Sequence, residues 1–181
     1  MFPEEFEELA RCAARIGAGL QLEFVRGRPH ERPGRDGNHG MIMQWLTCVC
    51  VQTRPDLWLY CGRGLRAGTD RNDYARPDGV LLPSGGLAGE GEWGAPGKVL
   101  MAVEVTSRAS DTLAGKTRAY AESGIPVLLV VDRDDGCVLV RSRPHSSGYQ
   151  RTEAVAFGRA IVLPDPVGIA LATGPLNDWA H

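Results

Sequence analysis

The chain has 181 residues, 43% of them hydrophobic and 23% charged, a globular composition long enough for one domain with a real core and too short for two comfortable ones. Its net charge of -2 and pI of about 6.1 exclude a protein that coats nucleic acid through bulk charge, while leaving room for a groove with local basic residues. An odd count of five scattered cysteines, and Glu4, Glu5, Glu7 and Glu8 where a secretory signal would be positive, point to reduced thiols in the cytoplasm.

Pro3, the glutamates after it, and Arg11 and Arg15 before Gly17 follow the charge order that a helix dipole favours. Phe2, Phe6, Leu9, Ala13 and Ile16 recur at helical spacing, so 3–16 reads as an amphipathic helix. Segment 20–25 alternates as a strand, with Leu20, Leu22 and Phe24 on one side and Glu23 on the other. A Gly/Pro-rich connection, 26–40, carries Arg26, Arg28, Arg32 and Arg35.

From His39 to Val51 the pattern through Ile42, Met43, Leu46, Val49 and Cys50 is helical, although its apolarity also suits a buried strand; it is far short of a membrane span. Cys48, Cys50, Cys61 and His39 fit no usual zinc spacing and read as structural thiols. Leu57 to Cys61 is a short strand, and 62–79 and 83–97 read as loops, with a strand at Val80 to Leu82 between them.

Val99 to Val105 is nearly all apolar and reads as a central strand. Ser110 and Asp111 are caps for a helix through Lys116, Tyr120 and Glu122 that Gly124 ends. Val127 to Val131 is a second buried strand, closed by the turn Asp132 to Gly136, and shorter strands follow near 137–142, 149–156 and 160–163. The strand-helix-strand unit 99–131 suits a right-handed crossover in a mixed α/β domain with a central sheet.

Chemistry concentrates in Arg76-Pro77-Asp78-Gly79-Val80-Leu81 and Val103-Glu104-Val105-Thr106-Ser107. A carboxylate near the carboxyl end of an apolar strand must be compensated, and a divalent cation held jointly by Asp78 and Glu104 would do so through hard oxygen ligands. Lys116, sharing a helix face with Tyr120, could add a point charge for a phosphoryl transition state. The plain alternatives are a Pro-Asp turn, a solvated strand-end acid and a surface lysine. No phosphate loop, nucleophile elbow or HExxH occurs.

These motifs, with Asp111, Lys116, Tyr120 and Gly124-Ile125-Pro126 after them, resemble the Uma2 family (DUF820) of the PD-(D/E)xK nuclease superfamily, most strongly over 74–133 and more weakly across 1–181 as one domain. The resemblance implies an α/β, restriction-endonuclease-like fold, a mixed central β-sheet flanked by helices. It also implies Mg²⁺ (or Mn²⁺) held by Asp78 and Glu104, Lys116 as catalytic lysine, and hydrolysis of nucleic-acid phosphodiesters, with DNA as the substrate. Thr106 stands where most of the superfamily carries that lysine, so a lysine migrated to the helix would fill the role. Glu23, Asp111, Tyr120 and His39 are accessory candidates, with Glu23 equally readable as a solvated edge charge, His39 as a cap or packing group and Tyr120 as a half-buried packing residue. A homodimer is expected by analogy, with the apolar Phe2, Phe6 and Leu9 as a hint of its surface. The competing reading is a catalytically silent module that binds nucleic acid or protein through the arginines of 26–35 and Arg141, Arg143 and Arg151.

Overall fold

Helix α1 spans Pro3–Ile16, and the Glu5 carboxylate accepts the Phe2 N–H at 2.8 Å to close its first turn. Its buried stripe is narrower than the spacing suggests: Phe6, Ala10 and Ala13 are buried, while Phe2, Leu9 and Ile16 are exposed. Phe6 is therefore core, not part of an outward apolar surface. This computed structural model describes residues 1–17, 20–32, 34–69, 72–106 and 111–180.

Strand β1, Leu22–Val25, forms a hairpin with β2, Arg28–Glu31, through Arg26 and Gly27, whose φ angles of 53° and 77° are those a tight hairpin turn needs. Segment 39–51 is helical: α2 spans Gly37–Thr53, capped by Asp36, whose carboxylate accepts the His39 N–H at 2.7 Å. After β3, Leu57–Cys61, the stretches read as loops contain short strands: β4, Gly64–Ala67, β5, Asp73–Ala75, and, beyond β6, Gly79–Pro83, the two-residue β7, Trp93–Gly94.

Strand β8, Met101–Thr106, helix α3, Asp111–Glu122, and strand β9, Val127–Asp132, form the expected crossover, with β8 and β9 parallel. Ser107 and Ser110 lie outside the described residues, as does the side chain of Asp111, so the expected cap does too. Gly124, at φ 74°, follows the helix. The chain ends through β10, Cys137–His145, β11, Gly148–Ala156, β12, Ala160–Val162, and β13, Ala170–Ala172.

The six-stranded sheet has the order β11-β10-β9-β8-β6-β3, and a five-stranded sheet the order β2-β1-β5-β4-β7. Alternation along the central strands divides the core. Leu81, Met101, Val103, Leu129 and Val131 pack with Ile42 and Leu46 of α2 and with Leu163 to Leu176 of the tail. Val80, Leu82, Ala102, Leu128 and Val130 pack with Ala119 and Tyr120 of α3 and with Leu65, Ala67 and Ala75 of the smaller sheet. A third cluster joins Phe6 and Ala10 to Phe24, Tyr74 and Trp93.

All five cysteines are free thiols, but only Cys50 is buried, and Cys48 and Cys61 are exposed. Among the described residues no helix is long and apolar enough to cross a membrane.

Candidate active site

Asp78 precedes its strand rather than ending it. Because β6 runs antiparallel to β8, the start of β6 lies beside the carboxyl end of β8, and Gly79 pairs with Val103. The Asp78 N–H donates to the Val103 carbonyl at 2.9 Å, and the Val105 N–H donates to Asp78 Oδ2 at 2.8 Å. One β-ladder thus fixes Asp78 against the strand that carries Glu104. Glu104 shares the face of Ala102, toward α3, and Thr106 lines the same cavity.

Helix α3 brings Lys116 and Tyr120 onto that face. The Lys116 ammonium, 5% exposed, donates to Glu104 Oε2 at 2.8 Å and the Arg76 carbonyl at 3.0 Å, and lies 2.9 Å from Glu23 Oε1. Tyr120, fully buried, donates its hydroxyl to Glu104 Oε1 at 2.7 Å. Glu23, 3% exposed, also accepts the Arg76 N–H at 2.5 Å. The surface lysine, the solvated Glu23 and the half-buried packing tyrosine are all set aside by this network. Arg76 serves it through its backbone, since its guanidinium turns away to Glu92 and lies 4.2 Å above the Trp93 ring.

On the other side of Asp78, Oδ1 accepts from Arg32, from Arg35 Nη2 at 3.2 Å, and lies 2.8 Å from His39 Nε2. Beyond them Arg133 Nη1 donates to both oxygens of the capping Asp36, at 3.1 and 2.9 Å. Arg133 was not singled out from the sequence, and Arg32 only as one member of a basic loop. Their contacts cross 97 and 46 residues of chain, which no local pattern registers. Glu23, Arg32, His39, Asp78, Glu104, Lys116 and Arg133 line one cavity of about 550 Å³. A larger cavity of about 780 Å³, against Glu4 and Glu7 of α1 and Tyr74 and Trp93, contains none of them, so size does not locate the chemistry.

The two acids are held in opposite ionisation regimes. Burial would raise the Asp78 carboxyl, but the His39 hydrogen bond, the Arg32 charge and the Val105 N–H outweigh it and hold the group well below the usual carboxylate range. Burial pushes Glu104 up to about 7, against the pull of Lys116, and the negative charges of Asp78 and Glu23 add to the rise. Burial acts to lower Lys116, but Glu104 and Glu23 prevail and raise it, so the ammonium stays charged.

Among the described residues no group of three or more His, Cys, Asp or Glu side chains is arranged to hold a metal ion. Two carboxylates at one cavity nevertheless suit a hard cation that keeps several waters. Asp78 Oδ2 accepts one bond among the described residues and has capacity for another partner, while burial chiefly, and Asp78 in addition, leaves the Glu104 carboxylate short of compensating positive charge. The donor chemistry fits Mg²⁺ or Mn²⁺.

A family model, Uma2, described as "Putative restriction endonuclease", matches residues 3–174. The chain belongs to the Uma2 family. A crystal structure of a "putative nuclease belonging to DUF820" from Anabaena variabilis ATCC 29413 is 16% identical and superposes with a TM-score of 0.77, covering 100% of this chain and 99% of that one. The restriction-endonuclease-like α/β fold is shared over the whole length. No curated protein matches.

Proposed function

We propose that the protein is a metal-dependent nuclease that hydrolyses phosphodiester bonds, with DNA as its substrate, as the description of its family suggests. The observation that carries this reading is the buried ammonium of Lys116, held by Glu104 and Glu23 in the cavity that Asp78 also lines. When bound at Asp78 and Glu104, Mg²⁺ or Mn²⁺ would supply Lewis-acid charge and an acidified water.

The protein's own groups supply the rest. Asp78 stays ionised through its hydrogen bonds, Tyr120 fixes one oxygen of Glu104, and Glu23 with the Arg76 carbonyl aims Lys116. Lys116 then offers a fixed positive charge to the negative charge that develops on phosphoryl oxygens during attack. Purified protein should cleave plasmid DNA in Mg²⁺ or Mn²⁺, and Asp78→Ala or Lys116→Ala should lower the rate by about a hundredfold or more. Wild-type rates in either variant, or no cleavage of DNA or RNA by the parent, would sink the reading.

One observation favours a silent binding module instead: Asp78 Oδ1 already meets Arg32, Arg35 and His39, so a cation must share an acid that protein groups satisfy. Salt-dependent DNA binding that survives Asp78→Asn and Glu104→Gln, with no heat of Mg²⁺ or Mn²⁺ binding by calorimetry, would decide for that module.

A further inference from the structure

Two arginines in the cavity carry buried donors that have no partner among the described residues. Arg133 follows β9, and its backbone N–H donates to the Thr106 carbonyl at 2.8 Å, so it stands at the carboxyl ends of the parallel pair β8 and β9. That edge is where open α/β sheets place ligands. The Arg133 side chain is 8% exposed, yet its carboxylate partner Asp36 is 58% exposed, and Nε is buried with no hydrogen-bond partner among the described residues. Arg32, also 8% exposed, repeats the pattern: one nitrogen meets Asp78, while Nη1 is buried and unpartnered among the described residues.

A buried guanidinium nitrogen without an acceptor carries its full desolvation cost, and a protein keeps such a group where something else completes it. Both side chains line the cavity of Asp78, Glu104 and Lys116. An anion with several oxygen acceptors around one centre matches two planar donor forks, and a backbone phosphate is such an anion. We propose that Arg133 and Arg32 bind the non-bridging oxygens of a nucleic-acid phosphate and so set the strand's position across the ends of β8 and β9. The inference rests on the nuclease reading in placing that phosphate beside the two acids. These arginines are positioning residues for the strand and read no base.

Arg133 gives the cleaner test, because it is bonded to Asp36 rather than to Asp78 or Glu104, and Asp36 is solvated enough to lose its partner. Fluorescence anisotropy with labelled DNA and RNA duplexes of one sequence, in EDTA over a series of KCl concentrations, measures affinity and its salt slope on whichever duplex binds tighter. Arg133→Met should weaken binding about tenfold and reduce the slope of log K against log salt by about one. Arg133→Lys should keep the slope, and Arg133→Gln, which keeps a donor toward Asp36, replaces the methionine variant if that one does not fold. A folded neutral variant with parental affinity and slope, or a parent that binds neither duplex, overturns the proposal. Cleavage in Mg²⁺ is read separately: an Arg133-dependent slope without cleavage sinks the nuclease reading alone, and cleavage with an Arg133-independent slope sinks this contact alone.

Discussion

A single ammonium stands between two carboxylates in this site, with a third close by. Lys116 bonds Glu104 and Glu23, and Asp78 adds its negative charge to the same cavity. Burial outweighs the pull of Lys116 and, with the negative charges of Asp78 and Glu23 adding to it, raises Glu104 to about 7, above its ordinary value of 4.5. A group whose folded pKa is raised binds more protons folded than unfolded between those values. Its stabilising contribution is complete below the unfolded pKa and is lost as pH rises through the folded one. Asp78, held low, is ionised in both states across this window and adds no slope there. In EDTA, urea-unfolding midpoints should therefore fall between about pH 5 and pH 8, and Glu104→Gln should remove that decline. A flat parental profile, or one that rises with pH, would show that Glu104 ionises normally.

Among the elements, α3 matters most, because it carries the ammonium that bonds Glu104 and Glu23. It can approach β1 closely only because Gly115 has no side chain: a Cβ there would lie 2.7 Å from Val25 Cγ1 and 3.2 Å from Arg26 Cδ. The close docking lets Lys116, one residue on, meet Glu23, two residues before Val25. Gly115→Val should cost about 2 kcal/mol by denaturant unfolding, through overpacking, and should lower cleavage per folded molecule as Lys116 is pushed from its partners. Cleavage unchanged in a folded variant would mean that the docking distance does not matter.

The long apolar or periodic elements were legible from residues alone: α1, β8, β9 and α3 appear where their patterns put them, and Asp78, Glu104 and Lys116 do share one cavity. Strands β2, β4, β5 and β7 were not, because two to four residues rich in Gly and polar groups cannot display a period of two. Tyr120 was underrated for a different reason. Its spacing from Lys116 fixed the helix face, but only the packed fold shows that its hydroxyl meets Glu104.

The whole molecule is built from cores that do different work. Phe6 of α1 sits with ring centroids 5.3 Å from Phe24, 5.2 Å from Tyr74 and 5.8 Å from Trp93, fastening the first helix to the smaller sheet. Those rings form a cluster of their own, apart from the core beneath α3, and meet the site through Glu23 beside Phe24 and Arg76 over Trp93. Phe6→Ala should lower stability by about 3 kcal/mol while leaving cleavage per folded molecule unchanged. A parallel loss of rate would tie the helix to the site.

The placement of the lysine on α3 has a mechanical consequence. Asp78 and Glu104 belong to neighbouring rungs of one ladder and must move together, whereas Lys116 rides on α3, outside that ladder, held by side-chain contact and by the Gly68 N–H donating to the Ala119 carbonyl at 3.2 Å. If α3 slid by one helical turn, about 5.4 Å, the ammonium would be carried clear while both acids stayed in register. Under the proposed nuclease reading, ion capture and strand scission would fall to parts that can be uncoupled, and a protein of this design would lose its cutting charge without losing its grip.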